Sequence, residues 1–129
     1  MRLGAPVYHW TTGEEWALEH VKRGYGAAYW PLPVDAPRER ENEFCEAAAR
    51  HDLVIAEVGV WNNLLDPDPE RAAQNVRYCV ARMRQAERVG ARCCVNISGS
   101  LGSQWDLSRR CSNPRTLRFP ERISASART

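Results

Sequence analysis

Short apolar runs alternate with longer amphipathic segments along most of this chain. The clearest run, residues 53–56, is too short for a helix and contains β-branched side chains, which is typical of a strand buried on both faces. Similar runs predict strands at residues 3–8, 26–30 and 92–97. Residues 69–89 place apolar side chains at helical spacing and predict the clearest helix.

Capping residues mark where two of the predicted helices begin. Thr12, followed three residues later by Glu15, is the pattern of a capping box and predicts a helix that runs to about residue 23. Asp68 before Pro69 combines an N-cap acceptor with a proline at the first helical position. Gly90 then ends that helix, because glycine readily adopts the left-handed conformation that follows a helix.

A further helix is predicted between these two, and the last helix has a predicted inward side. The middle helix begins at Asp35, has Pro37 in its first turn and extends to about residue 51. The inward stripe of the last helix comprises six residues: Ala72, Val76, Cys79, Val80, Met83 and Ala86.

The order of these elements is βαβαβαβ, with four strands separated by helices. Alternating strands and helices imply an α/β fold with a parallel sheet and right-handed crossovers. No glycine-rich dinucleotide fingerprint follows the first strand, which argues against a nicotinamide enzyme.

Composition limits the class of protein. The 129 residues, 43% apolar and 26% charged, suit one soluble globular domain. No apolar run approaches the roughly 20 residues of a membrane helix, and no signal peptide is visible, so a cytoplasmic protein without a membrane partner is expected.

Cysteines and histidines show no spacing typical of a metal site. The five cysteines are odd in number and lack a CxxC pair, which favours buried, reduced thiols. The three histidines form no visible triad, and His20 and His51 fall on helices, where we expect them in solvent.

The net charge of +2 is divided unevenly along the chain. Residues 1–108 hold 12 basic and 15 acidic side chains, whereas residues 109–129 hold six arginines and one glutamate. The body therefore offers no electrostatic argument for binding nucleic acid. Residues 108–129 show neither helical nor strand periodicity, and we interpret them as a disordered or non-native basic tail.

Three segments carry a family resemblance: AEVG at 56–59, WNNL followed by DP at 61–67, and RVGARCCVNISG at 88–99. Their order and spacing resemble the sugar phosphate isomerase/epimerase family, the xylose isomerase-like TIM barrels. The resemblance covers about residues 3–107. It implies that residues 1–107 are the N-terminal half of a (β/α)8 barrel, a partial barrel of about four βα units.

The resemblance also implies an activity for full-length relatives. These would be metal-dependent aldose–ketose isomerases or epimerases of a sugar or sugar phosphate, acting through an enediolate. Their Mn²⁺, Mg²⁺ or similar ion and their catalytic glutamates come from the second half of a barrel of roughly 200–250 residues. We therefore assign no catalytic residue, metal ligand or cofactor here, and we expect this truncated chain to be inactive alone.

Six residues near the ends of predicted strands are candidates for substrate binding: His9, Trp30, Glu57, Trp61, Asn62 and Asn96. Glu57 directly follows a buried strand, so it is either a pocket carboxylate or one half of an ion pair with arginine. Asn96 is either a pocket residue or an interior hydrogen-bonding group. His9 is a candidate donor, and the tryptophans either bind sugar faces or only cap the barrel mouth.

Two alternative architectures remain open at this stage. One is a non-enzymatic α/β binding module with an open four-stranded sheet. The other is a half-barrel that completes itself by dimerisation, for which the open sheet edges would provide the contact.

Overall fold

A computed structural model describes residues 1–100 of the chain. The predicted tail at 108–129, together with Trp105 and Cys111, lies outside the described residues. The six elements, in chain order, are α1 (Gly13–Lys22), β1 (Ala27–Tyr29), α2 (Arg38–Arg50), β2 (Val54–Val60), α3 (Pro69–Arg88) and β3 (Cys93–Asn96).

The three strands form one parallel sheet in the order β1-β2-β3. This confirms the predicted α/β fold, but with three strands in residues 1–100 rather than four. The strand predicted at residues 3–8 is wrong: the segment makes a single isolated bridge, between Gly4 and Ala27. Pro6 has no N–H to donate, so the segment cannot continue a regular ladder past that bridge.

Strand β2 is longer than its apolar run, and this changes the position of Glu57. The strand continues to Val60, so Glu57 lies inside it and the prediction that this residue follows the strand is wrong. The register also shifts, since Ala28 pairs with Ile55 but Tyr29 pairs with Glu57. This irregularity leaves one extra residue in β2, and Ile55 and Val58 both reach the core.

The predicted helix starts on either side of α2 are confirmed. Thr12 Oγ1 accepts a hydrogen bond from the Glu15 N–H at 3.1 Å, and a Glu15 carboxylate oxygen accepts one from the Thr12 N–H at 3.2 Å. At α3, Asp68 Oδ1 accepts from the Glu70 N–H at 2.9 Å, with Pro69 beginning the helix.

Helix α2 begins three residues later than predicted. Its N-cap is Pro37, which makes no side-chain capping bond, and the predicted start at Asp35 is wrong. Asp35 instead lies in a turn closed by a hydrogen bond from the Ala36 N–H to the Pro33 carbonyl at 3.3 Å. Pro37 is extended, with ψ near 145°, and its carbonyl accepts the first helical bonds, from Arg40 and Glu41.

One apolar core joins all three helices to the sheet. Trp16 of α1, Phe44 of α2 and Ala86 of α3 belong to the same buried cluster as Ile55 and Val58 of β2. Because strands that follow one another with right-handed crossovers place their helices on one face, the sheet has one covered face here. We call the opposite face of the sheet the open face.

The predicted inward stripe of α3 is only partly right. Cys79 and Ala86 are buried, but Val76, Val80 and Met83 are exposed, Met83 by 55%. The helix is rotated so that two polar residues face inward in their place, Arg82 and Gln85. Backbone and side-chain acceptors offset the cost of this burial, since they bond Nε and Nη1 of Arg82 and Nε2 of Gln85.

His20 is fully buried, so its predicted exposure is wrong. It lies four residues after Trp16, on the same inward side of α1, and the two rings are 5.0 Å apart at 72°. Its Nδ1 lies 2.8 Å from the Trp16 carbonyl oxygen. Burial lowers the pKa of His20, which favours the neutral ring.

The four described cysteines are free thiols, as predicted, but the prediction that they are buried holds only for Cys79: Cys45 and Cys94 are half-buried and Cys93 is exposed. Burial raises the pKa of both Cys45 and Cys94, so neither is an activated nucleophile. No helix within residues 1–100 has the length and apolar character needed to cross a membrane.

Candidate functional site

A cleft of about 800 Å³ opens where β1 and β2 end. Ligands of parallel α/β sheets bind at this carboxyl edge, because the loops that follow the strands converge there. The N-terminal segment, α1, the two strand ends and α3 supply its polar and aromatic lining: Tyr8, His9, Trp10, Trp16, Tyr29, Trp30, Trp61, Tyr78 and Arg82.

Tyr29 and Trp61 form one wall of the cleft. Trp61 Nε1 donates a hydrogen bond to Tyr29 Oη at 2.7 Å, and the Trp61 side chain remains largely exposed. A Cβ at Gly59 would overlap Tyr29 Oη, so the missing side chain lets the tyrosine ring cross β2. Gly59 thus sets the position of both aromatic groups.

Trp30 forms the base of the cleft and is almost completely buried. Its ring lies edge-on to Phe44 and Trp16, at centroid distances of 6.3 and 6.5 Å. Its Nε1 is a buried donor with no acceptor within residues 1–100. Buried donors are normally satisfied, so this N–H is an unused hydrogen-bonding group in a residue of the cleft wall.

Arg82 reaches the cleft from α3 and is 5% exposed. Its Nη1 donates to the Leu32 carbonyl at 2.7 Å and to Gln85 Oε1 at 2.5 Å, and its Nε donates to the Gly59 carbonyl at 3.3 Å. These three acceptors come from α3 and from the segments at the ends of β1 and β2. The guanidinium group is therefore fixed relative to both strand ends.

A buried carboxylate supports this arrangement from α2. Glu41 accepts from Gln85 Nε2 at 2.7 Å and from Arg88 Nη2 at 3.0 Å. Burial opposes ionisation of Glu41, but the hydrogen bonds from Arg88 and Gln85 prevail and lower its pKa. Gln85 thereby connects the charged Glu41 to Arg82.

The structure brings three of the six predicted site residues together. His9, Trp30 and Trp61 line the cleft, with His9 in the left-handed region at φ 66°. Asn62 and Asn96 do not line it. Asn62 donates to Asn75 Oδ1 at 3.3 Å, and Asn96 is exposed at the end of β3.

Glu57 lies on a second, smaller cavity of about 370 Å³, which Arg2 also lines. No hydrogen bond or ion pair within residues 1–100 engages the Glu57 carboxylate. Arg2 Nη2 instead pairs with Asp52 at 2.9 Å. The described part of the chain therefore does not contain the structural ion pair that was the alternative for Glu57, and its role in binding remains a prediction.

Sequence reasoning missed an amide that joins two loops. Asn63 Oδ1 accepts from the Ser100 N–H at 2.7 Å, and Asn63 Nδ2 donates to the Ser100 carbonyl at 2.8 Å. The loop after β2 is thus connected to the segment after β3. The adjacent Asn62 was the predicted site residue, but Asn63 makes these loop contacts.

Tyr78, Arg82 and the supporting Gln85 were also missed. Their spacing of four and then three residues places them on one side of a helix. Arg82 is also three residues after Cys79 and four before Ala86, both predicted to face inward. Helical spacing from these two residues is therefore compatible with an inward Arg82, but the apolar side chains of Val80 and Met83 indicated a different inward side of the helix.

The lining residues of the cleft include only one that carries a formal charge when histidine is neutral. No aspartate or glutamate is among its lining residues, and Arg82 is their one formally charged side chain if His9 is neutral. In residues 1–100, no group of three or more His, Cys, Asp or Glu side chains is arranged to hold a metal ion.

Comparison with known proteins yields no relative for this chain: no family model matches it, and no curated protein or solved structure is significantly similar.

Proposed function

We propose that this chain is the first arc of a TIM barrel of the sugar isomerase/epimerase type and that its aromatic cleft binds the sugar. The winding of the sheet supports the first part. The strands lie side by side in chain order, and residues of all three helices share one core. A barrel is wound in this way, whereas a doubly wound sheet carries helices on both faces.

The observation that carries the binding proposal is the aromatic cleft at the carboxyl edge of the sheet. TIM-barrel enzymes bind substrates at this edge. Sugars present apolar C–H faces to aromatic rings, and the largely exposed Trp61 offers such a ring. Its indole N–H is already bonded to Tyr29, which holds the ring in place.

The proposed activity of this chain is binding without turnover. Isomerisation through an enediolate needs a base within about 3 Å of the carbon and a cation on the developing oxyanion. By family resemblance, a divalent metal ion would supply that charge in full-length relatives, held by residues of the second half of the barrel. The first half would then contribute the wall on which the sugar is oriented.

A titration with neutral D-xylose, followed by tryptophan fluorescence, tests the proposal. We expect saturable binding in the millimolar range, weakened at least fivefold by Trp61→Ala. Met83→Ala, at an exposed position on α3 away from the cleft, is the matched control and should leave binding unchanged.

Either of two results would contradict the proposal: no saturable signal with the wild-type chain, or equal affinity in the wild type and Trp61→Ala. Conversion of D-xylose to its ketose in the presence of Mn²⁺ would contradict the expectation that the chain is inactive alone.

A further inference from the structure

Arg82 has an unused hydrogen-bonding edge. Its three bonds occupy Nε and both positions of Nη1, and no bond within residues 1–100 involves Nη2. Although the side chain is 95% buried, Nη2 is not among the enclosed polar atoms that lack a partner. Nη2 therefore retains contact with solvent, and Arg82 lines the cleft.

The surroundings of Arg82 leave its charge uncompensated within the cleft. None of the cleft residues is acidic, and no ion pair among residues 1–100 includes Arg82. Glu41 is connected to Arg82 only through the neutral amide of Gln85, and its nearest cation is Arg88. A buried cation without a carboxylate is costly unless it has another function or another partner.

The fixed orientation of the Arg82 guanidinium group also favours binding of an anion. Two backbone carbonyls and one amide oxygen hold it, so binding an anion through Nη2 would order no further side chain. Guanidinium groups prefer carboxylate and phosphate oxygens, with which they form charge-assisted hydrogen bonds. Trp30, whose enclosed Nε1–H has no acceptor within residues 1–100, lines the same cleft.

We propose that Arg82 forms an oxyanion subsite of the aromatic cleft, so that the preferred ligand is a sugar with a carboxylate or phosphate group. The inference rests on the proposed use of this cleft for sugar binding. It adds a charge requirement that Trp61 and Tyr29 do not impose. A purely structural Arg82 would stabilise the fold without distinguishing charged from neutral ligands.

The test compares D-glucose, D-glucuronate and D-glucose 6-phosphate as probes in low-salt buffer at pH 7.5, with tryptophan fluorescence as the readout. We expect at least one anionic probe to bind ten times more tightly than D-glucose. The stronger of the two identifies carboxylate or phosphate as the preferred group. Added salt should weaken the anionic probes and leave D-glucose unchanged.

Two arginine variants on α3 test whether the preference for anionic probes comes from Arg82. Arg82→Gln should remove the preference for anionic probes while retaining D-glucose binding. Arg84→Gln removes the same charge from the exposed side of α3 and should retain the preference. If Arg82→Gln does not fold, the wild-type arginine Nε–H resonances give the answer, since anionic probes should shift a slowly exchanging, buried resonance that D-glucose does not shift.

The results separate this inference from the function on which it rests. Equal affinity for all three probes would overturn the oxyanion subsite and leave the sugar-binding cleft intact. Absence of binding by any probe would overturn both. An anion preference that persists in Arg82→Gln, or wild-type spectra in which only exposed arginines shift, would also overturn the subsite.

Discussion

The two faces of the sheet use the same strands in different ways. On the covered face, Ile55 and Val58 of β2 join Trp16 and Phe44 in a closed apolar cluster. On the open face, Glu57 of the same strand is half-buried and has no bonded partner within residues 1–100. Strand alternation makes this division possible, because successive side chains point to opposite faces.

A related difference separates the apolar core, which stabilises the fold, from the cleft at the carboxyl edge of the sheet, which can bind a ligand. Core residues lose their apolar exposure to the helices and contribute mainly to the free energy of unfolding. In the cleft, by contrast, the Trp61 ring remains largely exposed and Nη2 of Arg82 has no partner within residues 1–100, so these groups can interact with a ligand. Arg82 belongs to both regions, since its bonds connect α3 to the segments at the ends of β1 and β2 and the residue also lines the cleft.

The largest expected contrast is between one aromatic residue of the core and one of the cleft. Phe44→Ala should lower the free energy of unfolding by about 3–5 kcal/mol, because it removes a fully buried ring. Trp61→Ala should cost less than about 1 kcal/mol, because that ring is 56% exposed. Urea denaturation measures both, and similar losses would contradict the division between core and cleft.

The next effect concerns the buried polar network between α2 and α3. Glu41→Gln should cost about 3 kcal/mol at pH 7, since it leaves the Arg88 guanidinium without its buried carboxylate. The folded state lowers the pKa of Glu41 below its ordinary 4.5. The stabilisation is therefore present above pH 4.5 and is lost as the pH falls through the folded-state pKa.

Denaturation between pH 7 and pH 3 tests this prediction. The difference in stability between the wild type and Glu41→Gln should shrink as the solution is acidified. Glu46→Gln, at an exposed position of α2, is the control and should cost little at any pH. A difference that stays constant with pH would show that Glu41 is not ionised in the folded protein.

A smaller pH effect should come from the buried His20. Its pKa lies below 6.5 in the folded state because burial disfavours the imidazolium ion. The unfolded chain therefore binds the proton more readily, and stability present above pH 6.5 is lost as the pH falls towards 5.5. The slope is at most about 1.4 kcal/mol per pH unit for one group.

Thermal denaturation at pH 7.5 and pH 5.5 measures this loss. His20→Asn, which retains a donor near the position of Nδ1, should reduce the pH dependence. His9→Asn alters an exposed ring and should retain it. An unchanged slope in His20→Asn would assign the effect to another group.

The smallest predicted change is at Glu57. Glu57→Gln should alter stability by no more than about 0.5 kcal/mol, because no described residue bonds to its carboxylate. Urea denaturation at pH 7 measures this change in the free energy of unfolding. A loss above about 1.5 kcal/mol would reveal an ion pair of Glu57 and would restore the structural interpretation of this residue.

Part of the candidate site could be predicted from the sequence. His9, Trp30 and Trp61 follow or flank apolar runs, and the carboxyl edge of a parallel sheet brings such residues together. Arg82 and Tyr78 could not be placed with the same rule, because they lie on a helix. Which side of that helix faces the sheet depends on the acceptors offered by Leu32 and Gly59.

The amino-acid sequence alone determined the starts of α1 and α3 and the parallel α/β order. Caps such as Thr12 with Glu15 act within four residues, and alternation of strands with helices restricts the connections. Only the tertiary structure decided that residues 3–8 make one bridge, that Glu57 lies within β2 and that Arg82 is buried while Met83 is exposed. These outcomes depend on partners far along the chain, which local periodicity does not encode.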